Sequence, residues 1–422
     1  MALESINPDP SCEDDYDPNS MPVEQAIARI ERALQPVRET ESVAIRAALG
    51  RVLAAEVTAP FDVPPHRNSA RDGYALASAS LGESGVVELD IVGTSWAGHP
   101  YPDAVAAGQC VRIMTGAAMP DGADVVVMQE HVEVDGALIR CNADAPTAGH
   151  VRHPGEDLRA GAAVMAPGKL LQPADLGVLA SVGLAEVRVY RRLRVAFFST
   201  GDELRGIGQP LGPGDIYDSN RYTLHGMLTR LGVELIDLGV VADTREAVRD
   251  AFTNAAAVAD VIVSSGGVSV GDADFVTGLL DELGSVNFWK IAMKPGRPLT
   301  FGHVHGAMFF GLPGNPVSVM VTFYQFVKPA LRRLSGEATW VANRMRVPLT
   351  TPIKKQPGRM EFQRGVLKLD ANGQTEVAST GAQGSHILNS MSLANCFIVL
   401  PLASTGADAG ELVEVEPFEG LV

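Results

Sequence analysis

Residues 261–275 read V-I-V-S-S-G-G-V-S-V-G-D-A-D-F, and the fold follows from how this stretch is taken. The β-branched run Val261, Ile262 and Val263 predicts a buried strand. After it, Ser264, Ser265, Gly266 and Gly267 make the chain leave the sheet in a tight turn, where small side chains let a ligand reach the backbone. Asp272 and Asp274 then stand two residues apart, ahead of the apolar run Phe275, Leu279 and Leu280, which predicts a helix. A strand, a glycine turn, a carboxylate pair and a helix start suit a phosphate-and-metal site at the carboxyl edge of a sheet. They equally suit an ordinary strand-to-helix turn capped by Asp274, and the stretch alone leaves both open.

On either side of it, strands and helices alternate. Strands are predicted at 195–199, 234–238, 261–265, 288–293 and 308–311, and helices at 220–231, 245–259, 275–283 and 316–334. This order predicts an α/β domain over 191–336 built on a parallel sheet with right-handed crossovers. Its polar loops collect on one edge: Thr200-Gly201-Asp202-Glu203, the loop with Asp243, the Ser-Gly turn, and Leu312-Pro313-Gly314-Asn315-Pro316. Open α/β sheets hold their ligands there. In a single strand of period two, Lys290 and Lys294 would share one face opposite Ile291 and Met293, giving a positive face beside the carboxylates. Two solvated lysines are the plainer alternative.

At 422 residues the chain calls for two to four domains, and 46% hydrophobic residues with a mean hydropathy of +0.10 allow substantial cores. A net charge of −16 argues against a nucleic-acid or anionic-membrane surface, so an anionic substrate would need a locally basic pocket. Cys12, Cys110, Cys141 and Cys396 lie far apart without a C-x-x-C pair, signalling neither a disulfide framework nor a zinc site. A reducing, cytoplasmic setting is expected. No stretch reaches the ~18 apolar residues of a spanning helix, and no basic segment followed by an apolar one opens the chain.

Residues 1–20 carry Glu4, Asp9, Glu13, Asp14, Asp15 and Asp17 among prolines, the composition of a disordered acidic tail. Val23, Ile27, Ile30 and Leu34 fall on one helical face, and a second helical run is expected at 44–53. Residues 155–190, with a helix at 173–182 and a strand at 186–190, complete this helical element, so that it is assembled from 21–59 and 155–190. Between them, strands at 86–92, 110–114, 125–134 and 137–141 predict an inserted β domain over 60–154. Within it, Asp72 in a D-G turn and Thr115 directly after a strand are either chemical groups or an Asx-turn and a strand exit. Short strands after 336 predict a C-terminal β barrel or sandwich over 337–422. The run Arg188, Arg191, Arg192 and Arg194 reads as a solvated junction. The stretch from Ala163 to Gly168-Lys169-Leu170 lacks the first Gly and the Ser/Thr of a phosphate-binding loop.

Six motifs now stand together: Asp72-Gly73-Tyr74-Ala75, Arg112-Ile113-Met114-Thr115-Gly116-Ala117, Ser199-Thr200-Gly201-Asp202-Glu203-Leu204, Ser264 to Asp272, Lys294-Pro295-Gly296 and Gly311 to Pro316. In order and spacing they resemble the MoeA family of molybdopterin molybdenumtransferases, related to the E domain of gephyrin, from about residue 22 to 422. The resemblance implies transfer of molybdenum from molybdate to adenylylated molybdopterin, with Mg²⁺ and release of AMP. It implies catalytic roles for Asp72, Thr115, Glu203, Asp243, Lys290 and Lys294, and metal ligation by Glu203, Asp243 and Asp274. Pterin or phosphate contacts fall to Gly266, Gly267, Ser269, Pro313, Gly314, Asn315, Pro316, Arg364 and Ser385. It further implies a homodimer that shares its site between subunits, with the adenylyltransferase of the preceding step and molybdoenzyme maturation proteins as possible partners.

That chemistry suits the residues. Bringing two anions together costs about 4 kcal/mol per unit-charge pair at 4 Å and an effective dielectric of ~20, which lysines and a hard cation offset. Carboxylates supply the oxygen ligands Mg²⁺ prefers, and backbone N–H groups of the Gly266-Gly267 and Gly314-Asn315 turns can cradle phosphate or pterin. One departure is Arg71, where the family usually has Met; its cation would depress the Asp72 carboxyl or help hold an anion. Two alternatives remain. One is molybdopterin adenylyltransferase, whose usual Thr-Gly-Gly-Thr-Gly turn is here Ser264-Ser265-Gly266-Gly267-Val268. The other is a non-catalytic scaffold of the same architecture.

Overall fold

A computed structural model describes residues 19–266 and 274–418, the side chains of 274–277 excepted. The expected acidic tail, up to residue 18, and Gly267, Ser269 and Asp272 lie outside the described residues. The chain divides into two compact units, one of residues 42–49 and 53–189, the other of residues up to 41, 50–52 and from 190 onward.

The larger unit begins with α1 (Val23–Ala33), which buries Val23, Ala26 and Ile30 at helical spacing. In the smaller unit, β1 (Gly73–Leu76), β2 (Val86–Ser95), β3 (Gln109–Ile113), β4 (Val125–Met128), β5 (Val132–Asp135) and β6 (Leu138–Asn142) form one sheet in the order β4-β1-β3-β2-β6-β5. All its pairs are antiparallel except β2 with β3. A second core of this unit joins Ala48, Leu53 and Val57 to Met165, Leu171, Leu179, Val187 and Val189, across more than a hundred residues of sequence. The helical run expected at 44–53 is absent; a strand ends at Ala44 and a single 3-10 turn spans Ile45–Ala47. Helix propensity loses there to the packing of Val43, Ile45 and Ala48 on that core.

In the larger unit, β7 (Arg194–Thr200), α3 (Ser219–Arg230, after α2, Pro173–Ser181, of the smaller unit), β8 (Glu234–Val241), α4 (Arg245–Val258), β9 (Val261–Ser265) and α5 (Asp274–Leu283) follow the expected alternation. They continue into β10 (Gly284–Lys290), β11 (Pro298–Val304) and β12 (Ala307–Leu312), and the sheet order is β8-β7-β9-β12-β11-β10. Strands β8, β7, β9 and β12 are parallel. The remaining edge is antiparallel, and β11 has no counterpart among the expected strands. Period-two alternation serves two faces: Val195, Phe197, Phe310 and Leu312 join the core beneath α1 and α3, while Ala196, Phe198 and Phe309 join the core beneath α4 and α5. Phe252 of α4 meets Phe198 and Phe309 edge-on at 5.4 and 5.0 Å, and burying each such ring contributes about 1.5–3 kcal/mol.

A helical rod follows: α6 (Pro316–Thr322), a π turn (Phe323–Val327) and α7 (Lys328–Leu334). Then β13 (Met345–Pro348), β14 (Met360–Leu369), β15 (Thr375–Ser379), β16 (Cys396–Leu400) and β17 (Leu412–Pro417) make the expected small β domain. Its sheet runs β14-β16-β17-β13, with β15 also on β14. The two-residue strand Met293–Lys294 joins its edge, Lys294 opposite Glu361, so the chain leaves the central sheet at Lys290 and enters another at Met293. Lys290 and Lys294 are therefore not on one strand, and the shared positive face expected from period two does not form. Among the described residues no helix is long and apolar enough to cross a membrane.

Candidate functional site

Strands β7, β9 and β12 end in register, with Ser199 beside Ser265 and Ser265 beside Leu312. The turn after β9 depends on glycine. Gly266 has φ +80°, and a Cβ there would lie 2.5 Å from the Thr200 carbonyl oxygen. Its N–H donates to the Leu312 carbonyl at 3.2 Å, so this amide braces the turn and is not an open phosphate donor. Pro313 is buried, Gly314 and Asn315 are exposed, and Pro316 starts α6, where a missing N–H costs nothing.

The segment Asp218 to Asn220, which enters α3, ties these ends together. Asp218 Oδ1 accepts from Ser199 Oγ at 3.1 Å and from the Arg221 N–H at 3.1 Å. Asn220 Nδ2 donates to Ser265 Oγ at 2.9 Å and to the Gly314 carbonyl at 2.7 Å. Neither residue was singled out from the sequence. The Asp-Ser-Asn that precedes the apolar helix pattern was a helix-start signal, and nothing in it revealed the reach to two other loops.

Glu203 and Asp243 come together on the adjacent edge. The Asp243 N–H donates to Asp202 Oδ1 at 3.4 Å. Partial burial, then the charges of Asp202 and Glu203, push the Asp243 carboxyl above its ordinary range. These are hard oxygen donors of the kind Mg²⁺ takes, although among the described residues no group of three or more His, Cys, Asp or Glu is placed to hold a metal ion. The side chain of Asp274 lies outside the described residues, so its expected part in such a site has no geometry here.

A groove of about 1020 Å³ opens where Lys294 joins the small β domain. Lys294, Lys354, Lys355, Arg359, Arg364 and His386 line it, with Glu361 as the one carboxylate among the described residues. This is the local basic pocket that an acidic chain needs for an anionic substrate. Of the residues expected from sequence, Lys294, Arg364 and Ser385 meet here; Lys290 does not line it. Arg364 is fully buried. Its Nε donates to Ser390 Oγ at 3.0 Å and its Nη2 to the Gly384 carbonyl at 3.1 Å, fixing the loop that carries Ser385. The Ser385 carbonyl in turn accepts from the Val317 N–H at 3.0 Å, which connects this loop to the start of α6. Lys355 is also buried, its ammonium held by the carbonyls of Gln356, Leu402 and Ser404, and burial lowers its pKa. In the sequence, Lys354, Lys355 and Arg359 show only as a cluster of cations around a Pro-Gly turn, and His386 carries no signal of the groove.

Asp72 and Thr115 belong to the smaller unit, where they meet each other. Asp72 Oδ1 accepts from the Thr115 N–H at 2.7 Å and from Thr115 Oγ1 at 2.8 Å. These two bonds, in that order, hold the Asp72 carboxyl below its ordinary range, with the Arg112 cation adding to them. Arg71 is not among the causes, so the effect expected of it falls to Thr115 and Arg112. Thr115→Val removes the hydroxyl bond and raises the Asp72 pKa. The acid limb of any activity that needs ionised Asp72 is therefore expected to move to higher pH, while Arg71→Met leaves it in place. A pH–rate profile that shifts for Arg71→Met and not for Thr115→Val would contradict this assignment.

Comparison with known proteins agrees with these features. Three family models match: the MoeA N-terminal region (domain I and II) over residues 21–183, a probable molybdopterin binding domain over 196–333, and the MoeA C-terminal region (domain IV) over 346–418. A molybdopterin molybdenumtransferase of Haemophilus influenzae is 43% identical, covering 95% of this chain and 99% of its own. Gephyrin of Dictyostelium discoideum is 32% identical, covering 94% of this chain and 62% of its own. The crystal structure of the molybdopterin biosynthesis MoeA protein of Pyrococcus horikoshii superposes with a TM-score of 0.81 at 28% identity, over 94% of this chain and 100% of that one.

Proposed function

Because the chain belongs to the MoeA family of molybdopterin molybdenumtransferases and is an enzyme of molybdenum cofactor biosynthesis, we propose that it transfers molybdenum from molybdate to adenylylated molybdopterin with release of AMP. The observation that carries this reading is the convergence of Lys294, Arg364 and Ser385 on one cationic groove. Molybdate is captured there by Lys294, facing the Ser385 loop that Arg364 holds in shape. The pterin and its phosphates rest on the turns at Gly266 and at Pro313 to Pro316, to which Gly267 and Ser269 contribute. Lys290 neutralises phosphate charge from the end of β10.

Glu203, Asp243 and Asp274 would hold Mg²⁺, the hard-oxygen set that this ion takes. Mg²⁺ bound there would polarise the phosphate bond that is cleaved. The protein works as a cytoplasmic homodimer, in which residues 21–59 and 155–190 form the dimerisation element and 60–154 an inserted β domain. Asp72 and Thr115 of one subunit complete a site on the 191–336 domain of the other. Molybdopterin adenylyltransferase supplies the substrate. The adenylyltransferase alternative for this chain itself is not favoured, since relatives matched along nearly the whole chain are molybdenumtransferases.

Lys294→Ala tests the groove. Losing one cation from a desolvated anion site is expected to raise the molybdate concentration needed for half-maximal insertion about tenfold or more, with little change in affinity for the pterin. Unchanged molybdate dependence would remove Lys294 from the site.

A further inference from the structure

We infer that Asn220 is a positioning residue, setting the distance between the Ser265-Gly266 turn and the Pro313–Asn315 loop on which the pterin is proposed to rest. The inference rests on that placement of the pterin and adds to it a residue outside the six motifs. Its geometry is specific. The Gly314 carbonyl can only accept, so the amide nitrogen of Asn220 must face it, at 2.7 Å, and the same nitrogen reaches Ser265 Oγ at 2.9 Å. Ser265 Oγ is itself 3.5 Å from the Pro313 carbonyl, so one side chain from α3 clamps the ends of β9 and β12 at two points.

The opposite end of the amide has no such role. Among the described residues, Asn220 Oδ1 is buried without a hydrogen-bond partner, as are Thr200 Oγ1 and Ser264 Oγ at the same strand ends. Among the described residues the side chain is held by its two donor bonds, against the cost of an acceptor without a partner there. Asp218 fixes the start of α3 on Ser199, so the lever carrying Asn220 is anchored to β7 as well. Turns positioned in this way govern how well the pterin fits and not how molybdate is captured, because the cationic groove uses other residues.

The full-length parent, Asn220→Ala and Asn220→Asp are compared for KM toward adenylylated molybdopterin, kcat, molybdate dependence and melting temperature. Asn220→Ala is expected to raise KM for the pterin substrate about tenfold, with kcat and molybdate dependence within about twofold of the parent. Asn220→Asp keeps the size and turns a carboxylate oxygen toward the Gly314 carbonyl, so its KM is expected to rise further, and it tests the same claim if the alanine variant folds poorly. Pterin KM within about twofold of the parent in both variants overturns the inference, as does a parallel loss in pterin and molybdate dependence that tracks a lower melting temperature. A parent that does not bind the pterin at all overturns the proposed function instead, a result separable from either.

Discussion

Replacing Arg364 by methionine is expected to destabilise the larger unit by about 2–4 kcal/mol and to abolish efficient use of molybdate. Arg364 is 1% exposed, and its guanidinium donates to Ser390 Oγ and the Gly384 carbonyl. Methionine fills much of the volume but leaves the partly buried Gly384 carbonyl without that donor, and Ser390 Oγ without its own. The backbone bonds of residue 364 to Gln383 and Thr380 survive, so the strand persists and the damage falls on the 384–385 loop. That loop carries Ser385 into the groove and braces the start of α6 through Val317. Arg364→Lys is expected to fail as a rescue, because one ammonium cannot reproduce two donors in a planar fork. Denaturant titration and molybdate dependence check both halves. A methionine variant within about 1 kcal/mol of the parent, with normal molybdate use, would show that the buried guanidinium does neither job.

The second large effect is expected at Gly266. Alanine there meets two penalties: a left-handed backbone conformation costing about 1–2 kcal/mol, and a Cβ 2.5 Å from the Thr200 carbonyl oxygen, well inside contact distance. Backbone atoms bound that space, so the turn must move, and with it the Gly266 N–H bond to Leu312 that sets the turn against β12. Pterin affinity is expected to fall by about a hundredfold, more than for the loss of a single contact. Gly314→Ala is the control, because a Cβ there meets nothing within 4 Å. Pterin binding reduced equally in the two variants would mean that glycine's freedom at 266 is not what shapes the turn.

Most of the α/β framework was legible because its signals are local. Period-two runs such as Val261 to Val263 serve two buried faces, and Phe252 with Val248 and Ala255 declares a helix face by spacing alone. What failed depended on partners distant in sequence. Period two puts Lys290 and Lys294 on one strand because nothing local shows that Ile291 bridges to Met21 while Met293–Lys294 pairs with Met360 and Glu361. The 44–53 helix failed for the same reason, since its competitor was a core supplied from residues 165–189. Within the site, Arg364 and Ser385 came from the family pattern, yet Lys354, Lys355, Arg359 and His386 belong to the groove only after the small β domain has folded. Asp218 and Asn220 announced a helix start and concealed a clamp.

The central claim is that this chain performs molybdenum insertion itself. The purified protein, with no adenylyltransferase added, is given adenylylated molybdopterin, molybdate and Mg²⁺, and AMP release is followed beside the capacity of the product to activate a pterin-free molybdoenzyme. Both are expected, in step and dependent on molybdate; AMP retained and no active cofactor formed would contradict insertion by this chain.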